Sequence, residues 1–328
     1  MNLHLGSTGD FVRKLERRLE NLGLYTGPMD GVFGGGVESA VKSFQKANSL
    51  QPDGIVGPQT WTALFPGAAP PVSPLFNQPV AQRCLALTGA FETSTGFPDC
   101  YCGLTGDFDG QGISYGVLQW NIGQGTLQPL FSDMLAGHSD IMANIFHDNL
   151  DALENMLASP REAQLEWARS IQDPNRHLVF EPWKGLFHTL GTTPEFQGIQ
   201  MNHAERIHQN ALDLCRRYAV KTERALALMF DICVQNGTIS TATESIIRAD
   251  FDAIPAGADP MAIELARLQA IANRRAEAAL PRFVEDVRAR KLTIANGQGT
   301  VHNLQYNLEE QFGIRLQSMA EANVMSAS

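Results

Sequence analysis

Two acidic residues seventeen positions apart, Glu92 and Asp109, have the chemical setting of a pair of catalytic carboxyl groups. Glu92 follows an apolar, helix-like run that begins at Cys84, and partial burial there would keep its carboxyl group protonated, as a general acid requires. Asp109 lies in a Gly-rich turn before a short apolar strand, where a solvated carboxylate can stay ionised and activate water. Most acidic residues are merely exposed, and Asp before Gly is common in turns, so the pair gains meaning only from its surroundings.

The turn around Asp109 also imitates the start of a calcium-binding loop. Asp107, Asp109 and Gln111 occupy alternate positions, and Gly112 stands sixth, where such a loop bends sharply. The twelfth position, however, holds Leu118 in place of the Glu that would bind calcium through both oxygens. We therefore expect no metal ion in this turn, and the sequence gives no reason to expect a metal or cofactor elsewhere.

The residues after Asp109 form a longer pattern. A hydroxyl residue, a Gly-rich strand and a Gly-x-Gly stretch follow an Asp-Gly-x-Gly turn; these elements are Asp109–Gly112, Ser114, Gly116 and Gly123–Gly125. The segment from Asp109 to Leu130 resembles the region of the second catalytic carboxylate in the inverting chitosanases of glycoside hydrolase family 46, which belong to the lysozyme-like superfamily. The resemblance implies that Glu92 is the acid, that Asp109 is the base and that Ser114 helps to position the attacking water.

The same stretch has a second resemblance. Gly116-Val117-Leu118-Gln119 is similar to the Gly-x-x-Gln strand that follows the catalytic Glu in lytic transglycosylases and goose-type lysozymes. Those enzymes can work with one carboxyl group, because the acetamide group of the substrate can take the second role. Candidates for substrate binding are Tyr115, Gln119 and Trp120, with Trp183 as a further stacking candidate, although aromatic residues near a strand more often belong to the core.

Charged residues further along the chain are candidates for supporting the acid. Asp231 stands inside an otherwise apolar helical run, where an ionised carboxylate is costly unless it is paired. In the chitosanase family, a buried network of Arg and Asp side chains holds the catalytic acid, and the resemblance places its members at Asp231, Arg274 and Arg282. The alternative is a local ion pair with no part in catalysis.

The first 65 residues contain an internal repeat. Asp30-Gly31 and Asp53-Gly54 each begin a tight turn that leads into a short apolar helical run, and an amphipathic helix is predicted from Asp10 to Leu22. The repeat resembles the common peptidoglycan-binding module over its whole length. The motifs shared with that module are Leu5 to Asp10, Leu24-Tyr25, Phe44-Gln45 and Thr60-Trp61. The resemblance implies peptidoglycan as the partner, bound by the module as a whole.

A Pro-rich stretch from Pro66 to Pro79 is predicted to be a semi-extended spacer without a core of its own. We therefore expect a binding module over residues 1–67, a linker over 68–79 and a glycosidase domain over 80–328. Periodicity predicts helices within 126–157, 201–234 and 262–289 and a strand within 113–120. The expected fold is mainly α, with a small three-helix module and a lysozyme-like α+β domain that has a small sheet beside its cleft.

The charges and cysteines narrow the function further. The six basic and six acidic residues among the first 80 cancel, so the net charge of −10 comes from the remainder of the chain. An acidic surface argues against nucleic acid as a partner, and it would suit a cationic glycan such as chitosan or simply aid solubility. The five cysteines show no disulfide or zinc spacing and are expected to be reduced.

The predicted module begins almost at the N-terminus, so we expect no signal peptide and no stable insertion into a membrane. A binding module before a lysozyme-like domain resembles the modular phage endolysins of Gram-negative hosts. That resemblance implies a monomer made in the host cytoplasm, released by a holin, that acts on peptidoglycan in the periplasm or cell wall. A secreted effector or a wall-remodelling enzyme of the cell itself is the alternative.

These patterns together predict a muramidase-type hydrolase that cleaves β-1,4 linkages of peptidoglycan by acid–base hydrolysis, with inversion. Two alternatives change the substrate or product, namely a chitosanase or a lytic transglycosylase. A third changes the class and makes the chain a non-catalytic wall-binding protein. An amidase or peptidase is disfavoured because no Cys/His pair or zinc-ligand set has a suitable spacing.

Overall fold

The N-terminal repeat folds as three helices in a computed structural model that describes residues 3–7, 9–69, 73–255 and 257–319. The helices are α1 (Asp10–Asn21), α2 (Gly35–Ala47) and α3 (Pro58–Leu64), and each begins directly after a glycine. Their apolar faces meet around a core of Val12, Leu15, Leu19, Phe33, Val37, Val41, Phe44, Trp61 and Leu64. The apolar residues recur at helical spacing in the sequence because one face of each helix packs into this core.

The two Asp-Gly turns of this unit are held by equivalent side chains of different chemistry. In the second turn, the Gln45 amide accepts a hydrogen bond from Gly54 N (2.9 Å) and donates one to Asp53 Oδ1 (2.8 Å). In the first turn, Glu16 Oε2 accepts a hydrogen bond from Gly31 N (3.0 Å). Glu16 is fully buried, and its Oε1 atom has no hydrogen-bond partner among the residues described. An ionised carboxylate lacks the donor that the amide supplies at this position.

Replacing Glu16 by Gln is expected to stabilise the binding unit at neutral pH by about 1 kcal/mol, because an amide can make the missing buried hydrogen bond. Burial raises the pKa of Glu16, and the charge of Asp30 adds to this effect against the opposing hydrogen bond from Gly31. A raised folded-state pKa means that stability is highest below the ordinary value of 4.5 and falls as pH rises through the raised value.

Thermal unfolding of the wild type and Glu16→Gln across this pH range measures the effect, and the variant should lose the decline with rising pH. Glu20→Gln, at an exposed position of the same helix, is the control and should unfold like the wild type. A Glu16→Gln variant that is less stable than the wild type at neutral pH would show that the carboxylate is the better partner for this turn.

Helices also dominate the second unit, Pro79–Tyr306 with Ile314–Ser328. The helix that bears Glu92 is α4 (Val80–Thr93). The helices that follow are α5 (Gln128–Gly137), α6 (Ser139–Phe146), α7 (Leu150–Ala158), α8 (Arg161–Ser170), α9 (Trp183–Thr192), α10 (Pro194–Tyr218), α11 (Glu223–Asn236), α12 (Thr241–Asp252), α13 (Pro260–Glu277) and α14 (Val284–Asn296). The mainly helical class expected from the sequence is confirmed.

The long periodic segments are divided more finely than their periodicity indicates. Residues 126–157 form α5, α6 and α7, with a break at His138 and a residue of positive φ at His147. Residues 201–234 span α10 and α11, and left-handed Ala219 (φ 50°) ends α10. Hydrophobic periodicity continues through these breaks of one to four residues, because the helices on both sides still bury one face each.

The spacer is more ordered than the sequence indicates. Its described residues include a short 3-10 helix, Pro74–Asn77, which Ser73 caps by accepting a hydrogen bond from Leu75 N (3.3 Å). Leu75 is fully buried, so the expectation of a spacer without a core is wrong for this part. The segment belongs to the first unit, Met1–Gln78, which also includes Asn307–Gly313 and its helix α15 (Leu308–Phe312). Residues 1–2 and Thr8 in the predicted module, residues 70–72 in the predicted spacer, and Ala256 and residues 320–328 in the predicted glycosidase domain lie outside the described residues.

The predicted strand over 113–120 is two short strands with a turn between them. An antiparallel sheet has the order β1 (Leu104–Thr105), β2 (Ser114–Tyr115) and β3 (Trp120–Asn121). Ser114 lies opposite Thr105 on one side and Asn121 on the other. Gly116, at φ 86°, starts the tight turn between β2 and β3. A second sheet consists of β4 (Gln298–Val301) and β5 (Leu304–Asn307).

All five cysteines are free thiols, and four of them are buried: Cys84, Cys100, Cys102 and Cys215. Burial raises the pKa of Cys102 to about 12, and burial raises the pKa of the others as well. These thiols are therefore core residues and poor nucleophiles. None of the helices in the described part of the chain is long and apolar enough to cross a membrane.

Candidate active site

Glu92 lies at the C-terminal end of α4, directly after a continuous buried stretch from Arg83 to Phe91. Its side chain is 27% exposed, so the carboxyl group lies between the apolar interior and solvent. Ser94, in the left-handed conformation (φ 56°), ends the helix just beyond it. The apolar run before Glu92 is therefore a buried helix, as the sequence suggests, and Glu92 lies at its end.

Polar contacts with α11 fix α4 along its length. At one end, the Arg83 guanidinium donates two hydrogen bonds to the Glu223 carboxylate, at 2.6 and 3.1 Å. Near the middle, Thr88 Oγ1 donates to Asp231 Oδ1 at 3.2 Å. All four of these residues are buried, which makes the contacts insensitive to solvent and holds Glu92 in a fixed direction.

A buried charge cluster lies directly beside Glu92. Arg290 on α14 donates to both carboxylate oxygens of Asp231 (2.6–3.1 Å) and, through the same guanidinium, to Glu92 Oε1 (2.7 Å). Lys291 Nζ forms a short ion pair with Asp231, and both side chains are fully buried. The Phe91 ring lies 5.0 Å from the Arg290 guanidinium. Glu92 is therefore held through one oxygen, while no described residue donates a hydrogen bond to Oε2.

The cluster perturbs the pKa values of its members. Burial alone would raise the pKa of Asp231, but the charges and hydrogen bonds of Arg290 and Lys291 outweigh it and lower that pKa to about 2. Burial lowers the pKa of Lys291 to about 8 against the opposing attraction of Asp231. For Arg290, the attraction of Asp231 and Glu92 overcomes burial, and its pKa is raised. Asp231 and Arg290 therefore stay charged at every pH near neutrality.

We expect the stabilisation from Asp231 to be lost in acid. Because its folded-state pKa is lowered to about 2 from an ordinary value of 3.8, the contribution is complete above 3.8 and disappears as pH falls through about 2. The difference in the free energy of unfolding between the wild type and Asp231→Asn should therefore shrink as pH falls below about 4. Urea unfolding at several pH values measures this difference, and one that is constant down to pH 2 would contradict the pairing.

Two of the residues proposed for this cluster from the sequence lie elsewhere. Arg274 on α13 pairs with Asp250 (2.6 and 2.9 Å) and Glu277 (2.8 Å). Arg282 lies over the Phe283 ring, at 4.6 Å from its centroid. The assignments of Arg274 and Arg282 are therefore wrong, whereas Asp231 does lie beside Glu92 through Arg290.

Arg290 and Lys291 themselves were missed, although the sequence contains a signal for them. They fall between Val287 and Ile294, at the spacing of the buried face of α14. Charged residues at core positions of a helix must be paired, and the buried Asp231 required a partner of opposite charge. Pairing the charged core positions of α14 with the buried Asp231 would have identified Arg290 and Lys291. The family resemblance instead pointed to Arg274 and Arg282.

Asp109 lies in the loop between β1 and β2, where it is exposed. Its Oδ1 atom accepts a hydrogen bond from Gln111 N (3.1 Å), which fixes the turn and leaves the carboxylate in solvent. The neighbouring Asp107 is different, since it is buried and accepts hydrogen bonds from Gly112 N (2.9 Å) and Arg169 (3.1 Å). Of the two carboxylates, Asp107 is the one that holds the loop together, and Asp109 is the one available to react.

Close packing brings the Glu92 end of α4 to the three-stranded sheet. A side chain at Gly89, one helical turn before Glu92, would overlap the Val117 side chain in the β2–β3 turn. A side chain at Gly103 would overlap Thr93, the residue after Glu92. Absence of a Cβ at both glycines therefore permits the approach of α4 to the sheet whose β1–β2 loop contains Asp109.

Ser114 lies on β2 within this sheet. Its hydroxyl accepts a hydrogen bond from Asn121 Nδ2 on β3 (3.0 Å), and the side chain is partly exposed. A Ser hydroxyl has one donor and two acceptor sites, so this bond leaves the O–H and one lone pair for a water molecule. Asn121 was not singled out from the sequence, and it directs the Ser114 hydroxyl.

The aromatic candidates for sugar contact prove to be mainly core residues. Tyr115 is fully buried, its hydroxyl donates to the Phe187 carbonyl (2.5 Å), and its ring stacks with Phe131 and Phe196. Burial also raises its pKa well above the ordinary value. The substrate-binding assignment of Tyr115 is therefore wrong, and Trp183, which packs against Phe187, is also buried. Trp120 packs against the same core but remains partly exposed.

Gln119 is a structural residue of the β2–β3 turn. Its amide donates to the carbonyl oxygens of Gly103 and Gly116, both at 3.0 Å, and its Oε1 accepts a hydrogen bond from Thr105 (2.6 Å). The fully buried Gln200 of α10 supports the same turn, since its Oε1 accepts from Val117 N (2.7 Å). With both donors and one acceptor site occupied, Gln119 stabilises the turn, and the sequence-based suggestion that it binds substrate has no support in these contacts.

The described residues contain no group of three or more His, Cys, Asp and Glu side chains arranged to hold a metal ion. The candidate reactive groups are Glu92 at the end of α4, with the Asp231–Arg290–Lys291 cluster beside it, and Asp109 and Ser114 in the β1–β2 loop and strand β2 of the sheet that α4 approaches. Two carboxyl groups and a hydroxyl are the kinds of side chain that acid–base cleavage of a glycosidic bond requires.

Comparison with known proteins identifies the N-terminal unit. Residues 8–64 match the family described as "Putative peptidoglycan binding domain", which confirms the resemblance seen in the internal repeat. An N-acetylmuramoyl-L-alanine amidase, CwlM, from Mycobacterium tuberculosis is 46% identical over 57 residues, which are 17% of this chain and 14% of that protein. A spore cortex-lytic enzyme from Bacillus subtilis is 46% identical over 61 residues, 18% of this chain and 20% of that protein.

The similarity to these relatives is confined to a stretch the size of the N-terminal unit. The chain covers between 14% and 49% of the length of the first three of them. Solved structures align over more of the chain. A chitosanase complex covers 69% of this chain and 95% of its own, at 18% identity and a TM-score of 0.43. A Burkholderia AP3 phage endolysin covers 70% of this chain and 98% of its own, at 19% identity and a TM-score of 0.20.

Proposed function

We propose that this chain is a peptidoglycan hydrolase that cleaves the β-1,4 linkages of the glycan strand. The observation that supports the substrate is the match of residues 8–64 to a peptidoglycan-binding family. The curated relatives that share this unit are, by name, an amidase and spore cortex-lytic enzymes, and a wall-binding unit in each would hold the enzyme on its polymer. The observation that supports catalysis is the packing of the α4 end that bears Glu92 against the sheet whose β1–β2 loop bears the exposed Asp109.

Glu92 is proposed as the general acid. It protonates the oxygen of the leaving sugar as the glycosidic bond breaks, and the electron pair of that bond stays with the leaving oxygen. Arg290 holds Glu92 Oε1, so Oε2 is the atom left to bear the proton. A carboxyl group held through one oxygen by a buried guanidinium cannot rotate freely, which keeps the proton directed at one point of the substrate.

Asp109 is proposed as the general base. It removes a proton from a water molecule that attacks the anomeric carbon from the face opposite the leaving group, which inverts the configuration. Ser114 is proposed to hold this water through the hydroxyl that Asn121 directs. The Asp107–Arg169 pair and the Gln111 hydrogen bond fix the loop that bears Asp109.

A zymogram with purified peptidoglycan and with chitosan, followed by mass spectrometry of the fragments, tests this function. Cleavage of peptidoglycan to saturated, reducing fragments supports the proposal. Products with a 1,6-anhydro ring would show a lytic transglycosylase, and cleavage of chitosan alone would show a chitosanase. Binding to peptidoglycan without cleavage of either polymer would show a non-catalytic wall-binding protein.

Replacing Asp109 by Asn is expected to lower hydrolysis by about 10²–10⁴-fold, because an amide cannot accept the proton of the attacking water. The fold should be unaffected, since Asn at this exposed position can still accept the hydrogen bond from Gln111 N. Reducing-end NMR of wild-type products measures the stereochemistry, and inversion is expected. Retained configuration, or full activity of the variant, would assign the second role to the acetamide group of the substrate.

The biological setting is proposed on the same basis. An enzyme of this kind that acts on the wall from within would fit a phage endolysin that a holin releases as a monomer. Detection of the native chain in the cytoplasm before lysis, and at the wall only after membrane permeabilisation, would support this setting. Secretion from intact cells would favour an effector or a wall-remodelling enzyme.

A further inference from the structure

An exposed apolar cluster adjoins the proposed base. Phe108, directly before Asp109, has the largest exposed fraction, 66%, of the large apolar residues that the structure describes as exposed. Its ring lies 4.9 Å from the ring of His177, and Leu178 (59% exposed) and Phe180 (47%) follow on the same loop. Single exposed apolar residues need no explanation, but grouped ones beside a reactive carboxylate indicate a contact surface.

The two loops that bear this cluster are fixed to each other. A side chain at Gly106 would overlap the His177 carbonyl oxygen, so the backbones touch at this point. The Gln172 side chain accepts a hydrogen bond from Asp107 N (2.8 Å), which joins the loops a second time. The rings are therefore presented by a rigid support, and a ligand that binds them does not have to order the loops first.

The backbone of the second loop is also well defined. Asp173 N donates to Leu178 O and His177 N donates to Asp173 O, both at 2.9 Å, and Phe180 N donates to Ile171 O at 2.9 Å. His177 itself has a positive φ of 54°. Such a conformation is uncommon for a residue with a side chain, and the surrounding hydrogen bonds hold it in place.

The chemistry of the cluster favours an uncharged ligand with apolar faces. The nearest buried carboxylate, Asp107, is paired with Arg169, and Asp173 accepts hydrogen bonds from the backbone of Asn175 and Arg176. Phe108, Leu178 and Phe180 offer ring and aliphatic surface. The C–H face of a sugar ring and the methyl group of an acetamide match such a surface, whereas a deacetylated sugar lacks that methyl group.

We propose that Phe108 and His177, flanked by Leu178 and Phe180, form a stacking subsite that binds an N-acetylated sugar of the glycan strand beside Asp109. The proposal rests on the proposed function, since it places the substrate against the proposed base. It makes Phe108 a specificity-determining residue that separates acetylated from deacetylated glycans. The loop pair is then the wall of the cleft on the side of Asp109.

Isothermal titration of the full chain with the hexasaccharide of N-acetylglucosamine tests the subsite. The parent protein for this experiment carries Glu92→Gln to prevent cleavage, and each variant is made in that parent. Phe108→Ala should weaken binding about tenfold, and Phe108→Tyr, which keeps the ring, should bind within about twofold of the parent. Leu280→Ala is the matched control, because Leu280 is another apolar residue of this unit with a 62% exposed fraction. It should leave affinity unchanged. The glucosamine hexasaccharide should bind the parent more weakly than the acetylated one.

Equal affinity of Phe108→Ala and the parent would overturn the subsite, and so would equal loss in Leu280→Ala or no binding of the acetylated hexasaccharide at all. Stronger binding of the glucosamine hexasaccharide would overturn its specificity. The binding assay does not depend on cleavage. If the wild-type chain cleaved nothing but its affinity depended on Phe108, the hydrolase would be refuted and the subsite retained. If the chain were active but its affinity did not depend on Phe108, the subsite would be refuted and the hydrolase retained.

Discussion

Replacing Glu92 by Gln should lower cleavage of peptidoglycan by about 10²–10⁴-fold, because the amide is nearly isosteric but has no proton to give to the leaving oxygen. The fold should persist, since Gln Oε1 can still accept the hydrogen bond that Arg290 donates to Glu92. Loss of a charge at this partly exposed position leaves Arg290 paired with Asp231. The measurement is the rate of turbidity loss of permeabilised Gram-negative cells, together with circular dichroism of the purified variant.

Glu285→Gln is the control for this experiment. Glu285 belongs to the same unit, its side chain is 83% exposed, and it pairs only with its neighbour on the same helix among the ion pairs described, Arg288. Its replacement should leave the rate within about twofold of the wild type. If Glu92→Gln retained a rate within tenfold of the wild type, Glu92 would not be the acid, and another carboxyl group or a substrate group would have to protonate the leaving oxygen.

Replacing Asp231 by Asn should lower the free energy of unfolding of the second unit by about 3–5 kcal/mol, because two buried cations lose their common counter-ion. Arg290 and Lys291 are almost or fully buried, and both contact the Asp231 carboxylate. Activity should fall as well, since Arg290 would no longer be held where it meets Glu92. Urea unfolding followed by circular dichroism measures the first effect, and the pH dependence of the cleavage rate measures the second.

Two further variants make this prediction specific. Asp250→Asn removes another Asp–Arg pair of the same unit, but Arg274 and Asp250 are 34% and 29% exposed, so it should cost only about 0–1 kcal/mol. Asp231→Asn combined with Lys291→Met removes one of the two uncompensated charges and should recover part of the lost stability. A single Asp231→Asn variant as stable as Asp250→Asn would mean that water or another group neutralises the cluster.

The sequence predicted those parts of this molecule that depend on local patterns. The Asp-Gly turns and apolar spacing of the first 65 residues led directly to three helices and a shared core. The apolar run before Glu92 correctly indicated a buried helix with a partly exposed carboxyl group at its end. Asp231 was recognised as needing a partner, because an acidic residue among apolar helical neighbours is costly on its own.

The errors concern features that depend on partners distant in the sequence. Arg290 meets Asp231 and Glu92 across 59 and 198 positions, and only the packing of α4, α11 and α14 brings them together. Tyr115 has an aromatic side chain of the type that stacks on sugars, but its position on β2 directs the ring to those of Phe131 and Phe187. Gln119 was mistaken for a ligand contact, because two of its three hydrogen-bond partners, Gly103 and Thr105, lie 16 and 14 positions away in the sequence.

The spacer bears on how this protein could be rebuilt. Its helix Pro74–Asn77 and the distant helix α15 belong to one compact unit, and Ser73 Oγ donates to the Gln311 carbonyl oxygen between them (2.6 Å). A chimaera that exchanges the N-terminal unit by cutting between residues 67 and 79 would separate Asn307–Gly313 from the segment that it contacts in the same unit. A chimaera that retains residues 73–78 together with 307–313 keeps this contact. Exchange of the unit therefore requires a fusion junction at two places in the chain.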